Sequence, residues 1–420
     1  MRTVPGKIKQ GFVTYKTPIV YASSSIIKAF ATMLVGFIIA KYISPQDLGL
    51  WTTITLALTY SSFLQGGIIN GLNLELPYAF GSGDDEKGKK LAGITQTFTL
   101  ISSIIILLIG LSCLLFYPTN DDKIRYGILG ITFVIILTYY QSYLLSTFRS
   151  NNSFLKLSYI QLSEAIFNVF TLVFVLYFAY YGMIIKSVTV LGFFVFLLHI
   201  NRPIKALFYW DKKMFISLLK VGFPIFALVV LDSFATTIDK VWLLKYTDLT
   251  QVGLYSFGLY ALNTFILFSS SIASYIYPKL TFEYAKNNDK IILWKYVKKI
   301  TILLLAIQTP ILILCFFLVP SLVVKFFPNY AGSLTVIQIL LTAGVLKGSV
   351  IGVNVLWSMK SWKYMYMYQI IYTLMLISIT FICMKLFSSK IEGVAYGVLI
   401  ANALNLINAL ILSYKATHIK

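Results

Sequence analysis

KYISPQDLGLW, residues 41–51, returns about two hundred residues later as KYTDLTQVGLY, residues 245–255. The two stretches align without a gap: Lys41 falls on Lys245, Tyr42 on Tyr246, Gly49 on Gly253, Leu50 on Leu254 and Trp51 on Tyr255. Each lies between two long apolar segments. The first pair leads to a loop expected at Pro77, the second to one expected near Pro278. A helical hairpin duplicated within an apolar chain points to two related lobes.

Composition sets the class. Of 420 residues 58% are hydrophobic and 12% charged, and the mean hydropathy is +0.81, which excludes a soluble globular fold. Apolar runs of about twenty residues, each enough for a hydrocarbon core of roughly 30 Å, recur throughout. The expectation is an all-α integral membrane protein of about twelve spans. They lie near 17–40, 48–72, 92–117, 124–147, 154–180, 183–200, 214–244, 251–276, 300–325, 333–358, 364–387 and 392–413. Tyr180, Tyr181 and Gly182 must then form a very tight turn. Residues 17–200 make an N-lobe of six helices and 214–413 a C-lobe of six, joined by a linker at 201–213. Residues 1–16 and 414–420 are read as cytoplasmic ends. The N-terminus is basic and has no apolar stretch with a cleavage site, so the first span is expected to direct insertion.

The net charge of +20 follows membrane topology. Counting along the expected loops and span ends assigns 24 Lys and Arg to one side of the membrane and eight to the other: Lys41, Lys123, Arg125, Lys186, Lys245, Lys325, Lys385 and Lys390. This bias puts both termini in the cytoplasm. No aromatic-interleaved basic module suggests nucleic acid. Within 277–299, Ile291, Ile292, Trp294 and Val297 are candidates for an interfacial face beneath lysines turned to anionic lipid. Cys113, Cys315 and Cys383 are far apart and read as apolar core residues. His199 and His418 stand away from any nucleophile or ligand cluster, so no catalytic or metal residue is expected. The Gly-rich stretch 81–90 lacks phosphate-loop spacing, which leaves no ATP-driven mechanism.

Charges inside spans cost about 2.5–3.5 kcal/mol each and face partners or water. Lys28, Asp232 and Lys347 sit near the middle of spans one, seven and ten; Asp239, Lys240 and Glu164 lie off centre. Helical spacing gives each span a polar face: Ser24, Lys28 and Thr32; Asp232, Thr236, Asp239 and Lys240; Lys347 and Asn354; Asn402, Asn405 and Asn408. The repeat offset carries Lys28 onto Asp232. Two readings follow. One is a Lys28–Asp232 ion pair holding the lobes together. The other is a hydrated central cavity in which Lys28, Lys347, Lys240 and Asn354 bind an anionic substrate, while Asp232, Asp239 and Glu164 serve coupling or charge pairing. Asp239 beside Lys240 also reads as a local neutralised pair.

GLWTTITLALTYSSFLQGGIINGLNLELPYAFGSGDDEKGKK (49–90) resembles the second helix and following loop of Wzx-type polysaccharide repeat-unit flippases. These form the polysaccharide transporter branch of the multidrug/oligosaccharidyl-lipid/polysaccharide exporter (MOP) superfamily. FRSNNSF (148–154) and VGFPIF (221–226) are similar to that family too. The resemblance implies two six-helix bundles around a central cavity open alternately to either face. It also implies a transporter, not an enzyme, moving an undecaprenyl-pyrophosphate-linked oligosaccharide across the bacterial inner membrane for O-antigen, lipopolysaccharide or capsule. No cofactor is implied; coupling, where present, would use a proton or Na+. Membrane lipids, a polysaccharide polymerase and a chain-length regulator are the expected company. A cation-coupled multidrug antiporter is the nearest rival, but it would carry an acid where span one carries Lys28; Glu164 is the acid that would serve it. A membrane glycan polymerase or acyltransferase fits less well, because the external loops are short.

Overall fold

The computed structural model describes residues 6–287 and 290–418, and among these every regular element is a helix. In chain order they are α1 (Gly6–Tyr42), α2 (Pro45–Ser61), a 3-10 turn (Ser62–Gln65), α3 (Ile68–Gly81), α4 (Asp85–Phe116), α5 (Asp122–Ser150), α6 (Phe154–Phe170) and α7 (Leu172–Ile200). There follow α8 (Lys212–Tyr246), α9 (Leu249–Asn287), α10 (Lys290–Phe326), a 3-10 turn (Pro328–Ser333), α11 (Leu334–Gly348), α12 (Gly352–Ser358), α13 (Trp362–Leu386) and α14 (Lys390–His418). Ten segments among the described residues are long and apolar enough to cross a membrane. Expected spans two and five are not among these ten. Span two is divided where Gly66 and Gly67 take φ of 56° and 93°, a left-handed conformation that suits glycine. Span five is α6 continued into the start of α7. There the chain reverses at Ala179 (φ 45°, ψ −116°), one residue before the expected turn. Gly182 makes the reversal sterically feasible, since a Cβ there would lie 1.9 Å from the Phe174 carbonyl oxygen.

Several boundaries differ from expectation. Pro77 lies inside α3, and the loop begins at Ser82. The backbone of α9 runs through Pro278 to Asn287, so no loop stands at Pro278. Residues 6–16 continue α1 and 414–418 continue α14, while 1–5 and 419–420 lie outside the described residues. Hydropathy marks what lipid covers and not where a helix stops, so helices run past the apolar stretch. Val297, expected at the interface, is buried with Leu293 and Val355. Of the cysteines only Cys383 is buried, and Cys113 is exposed.

The chain forms two compact units, residues 1–35 with 54–229, and residues 36–53 with 230–420. The cuts run through α1, α2 and α8, so the first hairpin tip belongs to the second unit. In the first unit Ile68, Leu72, Ile94, Tyr143, Phe148 and Leu198 form a buried core. The linker after α7 runs extended, with Ile204 in that core and the Tyr209 carbonyl accepting from Thr97 Oγ1 at 3.2 Å.

In the second unit the two copies of the repeated stretch meet. Ser44 caps α2 by accepting from Asp47 N at 3.1 Å, with Pro45 opening the helix. Its aligned counterpart Asp248 caps α9, accepting from Gln251 N at 2.8 Å. The sequence repeat is thus a repeat of helix-capping geometry, and each copy brings its glycine to the other's backbone.

Candidate functional site

In the first unit, α6 carries Gln161, Glu164 and Asn168 at steps of three and four residues, one face of a helix. Each finds a partner on a neighbouring helix. Ser24 and Ser25 of α1 donate to Gln161 Oε1 at 2.9 and 3.2 Å. Lys28 Nζ lies 2.5 Å from Glu164 Oε2 and 4.2 Å from the centre of the Phe194 ring. Lys186 of α7 donates to Asn168 Oδ1. The polar face expected on span one is therefore real at Ser24 and Lys28, whereas Thr32 turns back to the Lys28 carbonyl at 2.9 Å.

This corrects two expectations. The ion pair of Lys28 is made with Glu164, not with Asp232. Lys186, assigned to a loop, is 7% exposed and sits two turns inside its helix. Expected span six, 183–200, already contains it, so its count among the outer charges was inconsistent with the span. The three-and-four spacing of Gln161, Glu164 and Asn168 was visible in the sequence and would have located this ladder.

In the second unit, Asp239 of α8 is buried and holds a firm set of partners. Tyr255 Oη donates to Asp239 Oδ2 at 2.7 Å, and Lys240 N donates to Oδ1 at 2.8 Å. Lys240 Nζ lies 3.6 Å from Asp239 Oδ1 and donates to the Thr236 carbonyl at 3.0 Å, so the local Asp239–Lys240 pair exists. Tyr255 closes the repeated stretch and is fully buried. Tyr255→Phe is expected to destabilise the fold by about 1.5–3 kcal/mol, the worth of a hydrogen bond to a charged group. A thermal unfolding midpoint unchanged from wild type would contradict it.

Asp232, two turns before Asp239, is exposed and accepts from Gln369 Nε2 of α13 at 3.4 Å. Lys347 is half-buried at the end of α11, within electrostatic reach of both Asp232 and Asp239. The break at Ser349–Ile351 separates α11 from α12, so Asn354 does not follow Lys347 along one continuous helix face as expected. Asn402 and Asn405 of α14 are buried against α13. Tyr372 Oη donates to Asn402 Oδ1 at 3.2 Å, and Asn405 Nδ2 donates to Tyr368 Oη at 2.9 Å. The two tyrosine rings stack with centroids 6.1 Å apart. Each unit thus buries a polar ladder that includes both charge signs.

No curated protein matches the chain in sequence. Its fold is similar to an inward-facing MATE-family transporter of the MOP superfamily, at TM-score 0.71 and 13% identity, covering 95% of this chain and 98% of that one. It is also similar to the Vibrio cholerae MATE transporter VcmN, at TM-score 0.65 and 13% identity over 96% of both chains. A third likeness is a MOP superfamily transporter from Pyrococcus furiosus, described by a binding pocket of reverse polarity, at TM-score 0.61 and 14% identity over 96% of this chain and 95% of that one. In sequence, residues 85–329 match the family described as polysaccharide biosynthesis protein. That match spans more than half of the 420 residues, so this multi-pass membrane protein, built on the fold of MOP transporters, belongs to the polysaccharide biosynthesis protein family.

Proposed function

We propose that the protein is a flippase that moves an undecaprenyl-pyrophosphate-linked oligosaccharide from the cytoplasmic to the outer leaflet of a bacterial inner membrane by alternating access. The observation that carries this reading is a polysaccharide-biosynthesis sequence on a transporter fold. Cations held inside membrane-spanning helices support it, above all Lys28 and Lys347. A pyrophosphate leaving water needs compensating positive charge and charge-assisted donors, while the prenyl tail stays in lipid. Asp232, exposed and held by one long amide contact, is the carboxylate best placed to take up a proton or Na+. Lys240 and Asn354 are further polar contacts for the passing sugar.

Complementation tests the reading. A host lacking its flippase, but making the matching lipid-linked glycan, receives wild type, Lys347→Ala or Asp232→Asn, with membrane expression checked. Wild type is expected to restore surface glycan. Lys347→Ala is expected to leave at least about tenfold less, the worth of one charged contact, with intermediate accumulating inside. Normal export by Lys347→Ala would remove that lysine from the path. Failure of wild type on its own glycan would favour a cation antiporter.

A further inference from the structure

Lys186 has too few partners for a buried cation. Its ammonium carries three N–H donors, yet its partner is a single amide oxygen, Asn168 Oδ1. Among the described residues it makes no ion pair, in contrast to Lys28 with Glu164 and Lys240 with Asp239. At 7% exposure it has little water to compensate. An ammonium buried without counter-charge costs several kcal/mol, so a helix pair that keeps one has a use for it.

The surroundings define what fits. Asn168 follows Glu164 by one turn of α6, about 6 Å of axial rise. The α6 face therefore serves two lysines with one carboxylate, and that carboxylate is engaged by Lys28. Phe167 of α6, next to Asn168 in the chain, stacks on Phe193 of α7 with ring centroids 4.2 Å apart, which fixes the two helices against each other. Weak hydration, spare N–H donors and unbalanced positive charge together select an oxyanion.

We propose that Lys186 and Asn168 form an oxyanion subsite within the first unit, accepting a phosphate or carboxylate group of the transported substrate. It deepens the flippase reading and rests on it for the identity of the ligand. Both a carrier pyrophosphate and an acidic sugar present this chemistry.

The test uses the full-length protein purified in detergent, with thermal unfolding followed against inorganic pyrophosphate, glucuronate, or chloride at matched ionic strength. Wild type is expected to be stabilised by at least one of the two oxyanions and not by chloride. Lys186→Met is expected to weaken that binding about tenfold, the value of a charge-assisted contact, while Lys186→Arg retains most of it. A purely structural lysine would lower the midpoint in Lys186→Met and leave anion affinity unchanged, which overturns the proposal, as does wild type indifferent to both oxyanions. Which anion stabilises assigns the source. In the complementation host, normal export by Lys186→Met beside a working wild type defeats the subsite alone. A lysine-dependent anion response without complementation by wild type keeps the subsite and defeats the flippase.

Discussion

Gly49→Val and Gly253→Val are each expected to abolish the folded protein. A Cβ at Gly49 would lie 1.8 Å from the Leu249 carbonyl oxygen, and one at Gly253 would lie 1.7 Å from the Pro45 carbonyl oxygen. Both obstacles are main chain, in helices already fixed by Ser44 and Asp248 at their first turns. Extra bulk in a core that repacks costs about 1–3 kcal/mol; where the wall is backbone, the cost exceeds that range and approaches the whole stability of about 5–15 kcal/mol. The measurement is the monodisperse fraction of membrane-extracted protein on size-exclusion chromatography, with its unfolding midpoint. Gly36→Ala is the control. There the nearest atoms are Tyr260 ring carbons at 3.6 Å, an ordinary contact, and the helix gains about 0.5–1 kcal/mol from losing a glycine. A wild-type profile for either valine variant would mean that the two hairpin tips do not meet as described.

The same contact shows what a sequence conveys and what it withholds. The repeat was legible because identical backbone demands recur: a cap at Ser44 or Asp248, then a glycine five residues later. Ten of the twelve expected passes were legible from hydropathy, since lipid imposes one length on every span. The reversal beside Tyr180 was legible to within a residue, because two spans must share very little chain. Partners were harder. Periodicity shows that Ser24 and Lys28 share a face, but a helix face carries no record of which helix it meets. The offset linking Lys28 to Asp232 is a fact of duplication, and the ion pair is formed with α6 instead. Lys347 and Asn354 were joined by counting residues through a break at Ser349–Ile351, although Gly348 and Gly352 flank it and could have signalled it. Lys186 escaped because it was counted with the outer loop charges although expected span six, 183–200, already contains it.

Lys28→Met is expected to cost about 3–5 kcal/mol of stability, and Lys28→Met with Glu164→Gln to recover most of it. The pair is asymmetric: the Lys28 side chain is 27% exposed and that of Glu164 10%. Removing the lysine leaves a nearly buried carboxylate without its cation, the more expensive vacancy. Removing the charge of Glu164 leaves a partly hydrated ammonium still 4.2 Å from the Phe194 ring centre, so a cation–π contact of about 0.5–2 kcal/mol persists and the single Glu164→Gln costs less. Thermal unfolding of the three variants gives the coupling directly. Transport then separates holding the fold from handling the substrate. If Lys28 meets the anionic substrate after leaving Glu164, Glu164→Gln retains export, while the double variant is stable and inactive, with intermediate accumulating inside the cell. Export at the wild-type level by the stable double variant would make Lys28 a structural residue whose charge exists only to satisfy Glu164. The double variant decides because it restores stability without restoring the cation.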